Sequence, residues 1–69
     1  MTLGNKIRNR REELGLTQVE LAKKAKVTQG SISRIEGNTL IPKATTLMVL
    51  AFALDLAPDA FLKDERRAS

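Results

Sequence analysis

The chain has 69 residues, of which 42% are hydrophobic, and it carries a formal net charge of +4 with a sequence pI near 10.0. It contains no cysteine and no histidine, which excludes disulfides, thiolate metal sites and histidine-based acid–base catalysis. No signal-peptide segment opens the chain, and its longest apolar run, residues 47–54, is far shorter than a membrane span. We therefore predict one small cytoplasmic domain over residues 1–69, without membrane contact.

Charge is distributed unevenly along the chain. Residues 1–43 hold nine lysines and arginines against four acids, whereas residues 44–69 hold three against four. A basic half is typical of proteins that bind a polyanion, although a surface that is basic only for solubility has the same composition. The charge alone therefore does not decide between a polyanion partner and a surface that is basic only for solubility.

Hydrophobic periodicity predicts an all-α fold, because no segment shows sustained apolar–polar alternation and aromatic residues make up only 3% of the chain. The first predicted helix carries Leu3, Ile7 and Leu14 on one face. Gly15 ends it, since glycine adopts the left-handed conformation that stops a helix.

Two short helices follow in close succession. Thr17 and Glu20 have the spacing of a capping box, so the second helix begins there. Its predicted buried residues are Val19, Leu21, Ala22 and Ala25. Thr28 caps a third helix over about residues 28–36, which ends near Gly37. The short gap between these helices allows only a tight turn, and we predict a helix-turn-helix over about residues 18–37.

The C-terminal third of the chain predicts two more helices. Pro42 precedes a fourth helix, whose apolar stripe comprises Leu47, Leu50, Ala51 and Leu54. Pro58 suits the first turn of a fifth helix that carries Phe61 and Leu62. Residues 63–69 are charged and expected to fray. The predicted architecture is a compact five-helix bundle.

The third helix has few large apolar residues, and its outward face is unusual. At about 100° per residue, Ile32 and Ile35 point to one side, and Gly30, Ser33 and Arg34 point to the other, with Gln29 at the edge. This outward face has small or hydrogen-bonding side chains and no acid. It suits close approach to DNA, where glutamine reads adenine and arginine reads guanine or binds phosphate. A short polar surface helix remains the alternative explanation.

The segment from Thr17 to Asn38 reads TQVELAKKAKVTQGSISRIEGN and resembles the helix-turn-helix of the phage repressor and Cro-type family. The apolar positions of that motif are filled by Leu21, Ala25, Val27, Ile32 and Ile35, and its small position by Ala22. The resemblance extends over nearly the whole chain, from IRNRREELGLTQ to LMVLAFALDLAPDAFL. It implies a lambda-repressor-like DNA-binding domain, with the third helix as the recognition helix in the major groove of double-stranded DNA.

The resemblance also implies roles for individual residues. Base contacts are expected from the outer face of the third helix, namely from Gln29, Gly30, Ser33 and Arg34. Phosphate contacts are expected near helix N-termini and in the loop after the third helix, from Thr17, Gln18, Thr28, Ser31, Asn38 and Lys43. Thr17 and Thr28 are equally explained as helix caps, and the two roles are compatible. No catalytic residue, metal or cofactor is expected.

Arg11 flanks the apolar stripe of the first helix, where an unpartnered guanidinium would be costly. Glu36 stands beside the inward side of the third helix. The resemblance implies a structural ion pair between Arg11 and Glu36. Arg10 is the alternative partner of Glu36, because periodicity does not separate the two arginines.

The sequence departs from the family pattern at three places. Lys26 occupies the turn position that is most often glycine, which predicts slight strain. The loop NTLIPK offers only Lys43 as a cation, which predicts a shallow salt dependence of DNA binding. Val49 and Phe52 stand where relatives are usually polar, so the fourth helix is apolar nearly all round. Either the fifth helix covers them, or they form a dimer or partner interface together with Phe61.

We therefore predict a sequence-specific DNA-binding transcriptional regulator, a repressor that acts as a homodimer on a palindromic operator. One alternative is an antitoxin-type interaction protein that binds both DNA and a protein partner. Another is that the chain is the DNA-binding part of a longer repressor. An enzyme is not expected, because the sequence has no nucleophile–base pair, phosphate loop or metal cluster.

Overall fold

The computed structural model describes residues 2–57, which form four α-helices. They are α1 (Leu3–Glu13), α2 (Gln18–Ala25), α3 (Gln29–Glu36) and α4 (Ala44–Ala53). No strand occurs within residues 2–57, so this part of the chain is all-helical as predicted. The helix count is four in this range rather than five. The predicted fifth helix, the frayed tail and the predicted interface residue Phe61 lie outside the described residues.

Both helices of the helix-turn-helix, α2 and α3, begin at side-chain caps that the sequence indicates. The Thr17 hydroxyl accepts a hydrogen bond from the Glu20 N–H at 3.1 Å, and the Glu20 carboxylate accepts one from the Thr17 N–H at 2.8 Å. The Thr28 hydroxyl accepts from the Ser31 N–H at 3.1 Å. Each cap satisfies an N–H that the helix itself leaves without a partner. The predicted capping box at Thr17 and the cap at Thr28 are both confirmed.

The turn between α2 and α3 depends on a left-handed lysine. Lys26 has φ of 59° and ψ of 41°, and the Val27 N–H returns to the Ala22 carbonyl at 3.0 Å. This backbone path turns the chain sharply after α2, which a continued helix could not do. Gly15, with φ of 72°, makes the corresponding stop after α1. The predicted strain at Lys26 therefore has a structural basis, since a side chain in this region costs about 1 kcal/mol.

The core lies where the four helices converge. Its largest fully buried side chains are Ile7, Leu21, Ile32, Ile35, Leu50 and Leu54. The predicted burial of Val19 is wrong, because this side chain is 48% exposed. Val19 precedes Leu21 by two residues, about 200° around α2, and therefore faces away from the core. Leu14 is also exposed, because α1 ends at Glu13 and leaves it at the edge of the apolar stripe.

The start of α1 packs directly against the end of α3. Gly4 is buried, and a Cβ at this position would collide with the carbonyl oxygens of Ile35 and Glu36. The Gly4 N–H donates to the side-chain oxygen of Asn38 at 3.2 Å, and Asn38 itself is left-handed with φ of 61°. Glycine is required here because the two backbones touch. No pattern in the sequence indicates this contact.

Arg10 connects α1 to the end of α4. Its Nε donates to the Leu54 carbonyl at 3.0 Å, and its Nη1 lies 3.4 Å from a Glu13 carboxylate oxygen. This arrangement directs Arg10 away from Glu36, which removes it as the alternative partner of that acid. Across residues 2–57, no helix has the length and apolar character needed to cross a membrane.

Candidate nucleic-acid interface

The outward face of α3 is formed by the residues that the sequence assigned to base contacts. Ile32, Ile35 and Glu36 are buried on the inward side of the helix. Gln29, Gly30, Ser33 and Arg34 are all exposed. The structure therefore brings the four predicted base-contacting residues to one accessible surface, on a helix whose opposite side is packed into the protein.

Gly30 leaves open space on this face. A Cβ at this position would have no heavy atom within 4 Å, so packing inside the described chain does not require glycine here. The backbone of Gly30 has ordinary helical geometry, so no left-handed conformation requires it either. The missing side chain instead makes the first turn of the helix thinner on its outward side. A thin helix surface allows closer approach to whatever lies against it.

The exposed amide of Gln29 belongs to a chain of hydrogen bonds that reaches the interior. Gln29 Nε2 donates to Gln18 Oε1 at 2.9 Å, and Gln18 Nε2 donates to Glu36 Oε1 at 3.2 Å. A carboxylate only accepts hydrogen bonds, so Glu36 orients the Gln18 amide with its oxygen toward Gln29. Gln29 keeps one N–H and its carbonyl oxygen available on the exposed side.

Glu36 is in turn fixed by Arg11, as the family resemblance implied. Arg11 Nε lies 2.7 Å from Glu36 Oε2, and Arg11 Nη2 lies 3.0 Å from Glu36 Oε1. Arg11 Nη1 also donates to the Leu16 carbonyl at 2.7 Å. Only 11% of the Arg11 side chain and 4% of the Glu36 side chain are exposed. The predicted ion pair is confirmed and is bidentate.

The same contact stabilises the charged form of Arg11. The side-chain hydrogen bond to Glu36 raises the pKa of Arg11 above its ordinary value, although burial acts in the opposite direction. This contact therefore adds to the intrinsic preference of an arginine side chain for its charged form. Since both partners are largely buried, loss of either one would leave an uncompensated charge.

The residues predicted to contact phosphate occupy the edges of the α3 face. Thr17 and Thr28 are exposed and cap their helices, and Ser31 is half-buried with its hydroxyl 2.9 Å from that of Thr28. Asn38 is exposed, and its side-chain oxygen accepts the Gly4 N–H, a bond that does not use its NH₂ group. Lys43 is exposed just before α4. These groups keep donors available despite their structural roles.

A polar cleft lies between α1 and the α2–α3 pair. It has a volume of about 280 Å³ and is lined by Arg8, Arg11, Gln18, Ser33, Glu36 and Gly37. Arg8 was not among the residues singled out from the sequence. Arg8 Nε lies 3.5 Å from Glu12 Oε2, and both side chains are more than half exposed, so this ion pair is weak. The position of Arg8 at the cleft is set by tertiary packing, and the periodicity of α1 does not indicate it.

Comparison with known proteins gives a consistent set of relatives. Residues 7–61 match the helix-turn-helix family. The chain is 37% identical over 65 residues to the immunity repressor protein of Bacillus phage phi105, a match that covers 94% of this chain and 45% of the relative. The chain thus spans about half the length of that curated relative.

Solved structures agree with this match. The DNA-binding domain of the P22 c2 repressor superposes with a TM-score of 0.87 at 35% identity, covering 91% of this chain and 83% of that one. SinR, a master regulator for biofilm formation solved in complex with DNA, gives a TM-score of 0.83 at 32% identity. That match covers 88% of this chain and 98% of the SinR chain.

Proposed function

We propose, from the premise that this chain belongs to the helix-turn-helix family, that it binds a specific DNA sequence and represses transcription there. The observation that carries the proposal is the outward face of α3, where polar and cationic side chains without any acid surround an open glycine. The phi105 relative is an immunity repressor, and SinR and the P22 c2 repressor were solved with DNA. These relatives support the same activity in this chain.

In the proposed complex, α3 lies in the major groove and its exposed residues read base edges. Gln29 retains one N–H and its carbonyl oxygen, the pair of groups that matches the N7 and N6 positions of adenine. Arg34 makes no side-chain hydrogen bond or ion pair with the described residues, so its guanidinium is available to guanine or phosphate. Ser33 and Gly30 complete the base-reading surface.

Phosphate contacts position this surface and carry no sequence information directly. We assign them to the edge residues Thr17, Gln18, Thr28, Ser31, Asn38 and Lys43, and we add Arg8 from the polar cleft. Gln18 serves two functions in this assignment, since it also orients Gln29. Lys43 and Arg8 are the only full charges in this set, so the dependence of affinity on salt should be shallow.

Repression requires only that the protein occupy a site that polymerase needs. We propose a homodimer on a palindromic operator with half-sites about one helical turn apart, because a two-fold protein matches a two-fold site. Two exposed apolar surfaces among the described residues compete for the dimer contact. One is the loop at Leu40 and Ile41, where Ile41 is 87% exposed. The other is the predicted surface at Val49 and Phe52.

Sedimentation equilibrium of Ile41→Asp and Phe52→Asp variants decides between these surfaces, because only the variant in the true contact becomes monomeric.

Since the phi105 relative is about twice as long, we also propose that this chain corresponds to the DNA-binding part of such a repressor. An antitoxin-like protein that also binds a protein partner is the second candidate function. The exposed apolar face of α4 is the observation that favours it.

Selection from a random pool of DNA duplexes tests the proposed function. We expect recovery of a palindromic sequence, bound by the purified chain in preference to scrambled DNA of equal length. Enrichment of no sequence at all, with binding that depends only on salt, would contradict specific recognition. The variant Arg34→Ala is the matched check, since it should weaken binding without unfolding the exposed face of α3.

A further inference from the structure

A second surface lies away from α3, between the end of α2 and the outward side of α4. It is a groove of about 360 Å³, lined by Lys24, Ala25, Lys26, Val49, Phe52 and Ala53. We call it the α2–α4 groove. None of its lining residues belongs to α3 or to the set assigned to DNA contact. It is therefore a separate feature of the domain.

The floor of the groove is formed by apolar side chains that remain largely exposed to solvent. Phe52 is 70% exposed and Val49 is 39% exposed, and Met48 continues the same ridge at 47%. The opposite side of α4 is already buried through Leu50 and Ala51. Because α4 is held without these outward side chains, their apolar character is unexplained by packing within the described residues. Neighbouring exposed apolar side chains are a feature of interaction sites.

The rim of the groove is cationic. Lys24 and Lys26 line it, and no lining residue is acidic. The acid nearest to Lys24 along its helix face is Glu20, one turn earlier, but its carboxylate accepts a hydrogen bond from the Thr17 N–H. Glu20 is thereby held at the other end of α2 and does not neutralise the rim. Two lysine charges therefore stand beside an apolar floor.

The backbone at Lys26 gives an independent indication. Its φ of 59° is a conformation that glycine adopts without strain and lysine does not. A lysine here places a charge at the groove although the turn itself would be better formed by glycine. The fold does not require a charge at this position, which is consistent with a functional role for Lys26.

We propose that the α2–α4 groove binds an acidic amphipathic helix of another protein. The apolar side of that helix lies on Val49 and Phe52, and its aspartates or glutamates pair with Lys24 and Lys26. A second copy of this chain fits less well, because a two-fold contact through the groove would bring four lysines together without acids to oppose them. Since α3 lies outside the groove, the partner and DNA can be bound at the same time.

The test uses two labelled helical peptides of 18 residues and the full chain. Both peptides have the same leucine face, flanked by glutamates in the first and by lysines in the second. Fluorescence anisotropy should show that the acidic peptide binds at least about tenfold more tightly, as two exposed ion pairs and the absence of repulsion allow. The double substitution K24E/K26E should reverse that preference, and Phe52→Ser should weaken both peptides about tenfold or more.

A matched control separates the groove from overall charge. The double substitution K23E/K43E changes the net charge by the same amount at exposed lysines that do not line the groove. It should leave the affinity for the acidic peptide within about twofold, because exposed charges at a distance are screened. Far-UV circular dichroism of each variant checks that it is folded, because K43E also removes a residue assigned to phosphate contact and should itself weaken operator binding.

Several outcomes would overturn the proposal. Equal binding of the two peptides, or binding that K23E/K43E weakens as much as K24E/K26E, would reduce the groove to a general charge effect. No binding to the wild type together with binding to Phe61→Ser would show that residues 58–69 of the chain occupy the groove. A wild-type dimer that Phe52→Ser dissociates would show that the groove belongs to a second copy.

Discussion

The exposed residues of α3 and α4 present two different kinds of surface on helices of similar length. On α3, Gln29 is linked through Gln18 to the buried carboxylate of Glu36, so a polar surface is connected to the interior. On α4, Phe52 and Val49 are exposed with no polar contact, above a core side that is fully packed. Directional hydrogen bonds fix the orientation of polar side chains at a surface, whereas an apolar surface binds a partner through complementary shape. This difference suits base reading at α3 and a less specific protein contact at α4.

The largest expected effect is on the buried support of the α3 surface. Glu36→Ala leaves Arg11 charged and largely buried with only the Leu16 carbonyl as partner, and should cost about 3–5 kcal/mol in the free energy of unfolding. That loss is comparable to the whole stability of a domain of this size. Urea unfolding followed by circular dichroism measures it.

The matched control is the double substitution R11M/E36L, which removes both charges and should recover most of the lost stability. A Glu36→Ala variant that unfolds within about 1 kcal/mol of wild type would contradict the account, since the pair would then contribute no more than an exposed one.

The two helical glycines give the next comparison. Gly4→Ala places a methyl group against the carbonyl oxygens of Ile35 and Glu36, which are backbone atoms that cannot move aside. We expect a loss of about 1–3 kcal/mol, as in other overpacked sites. Gly30→Ala has open space around it and should instead stabilise the domain by about 0.5–1 kcal/mol through helix propensity. Thermal unfolding of the two variants should shift in opposite directions, and equal shifts would refute the assigned contact.

The two left-handed helix ends predict another pair of opposite changes. Lys26→Gly relieves the left-handed lysine and should raise the unfolding free energy by up to about 1 kcal/mol. Gly15→Ala introduces the same strain at an open position and should lower it by a similar amount. Chemical denaturation compares them, and a destabilised Lys26→Gly would indicate that the lysine side chain supports the fold.

The smallest expected effect is on the α4 surface. Phe52→Ser should change stability by no more than about 0.5 kcal/mol, because the side chain is 70% exposed. Leu50→Ala, two residues earlier on the same helix and fully buried, should cost about 2–5 kcal/mol. Differential scanning calorimetry of both variants measures these two changes in stability. A large loss at Phe52 would show that it belongs to the core of the protein.

Much of this arrangement was predictable because it depends on local sequence. The caps at Thr17 and Thr28, the stop at Gly15 and the exposed α3 face follow from short-range patterns. The Arg11–Glu36 pair needed the family resemblance, since periodicity alone did not separate Arg11 from Arg10. The difference is that Arg10 reaches the Leu54 carbonyl, a contact across 44 residues.

Other features depend on tertiary packing that no local pattern contains. The bond between Gln18 and Gln29 requires the crossing geometry of α2 and α3, and the role of Gly4 requires the approach of α1 to α3. Arg8 joins the polar cleft for the same reason. Val19 was predicted wrongly because an apolar residue was counted as buried without regard to its position around α2.

The central claim is that the α3 face reads DNA through an oriented Gln29. The most direct test compares base preferences of the wild type and Gln29→Ala at every position of the selected operator. We predict that preference for adenine is lost at one position in each half-site, with a cost of about 1–3 kcal/mol there and an unchanged fold. If Gln29→Ala kept the wild-type preference at all positions, the assignment of this face as the base-reading surface would be wrong.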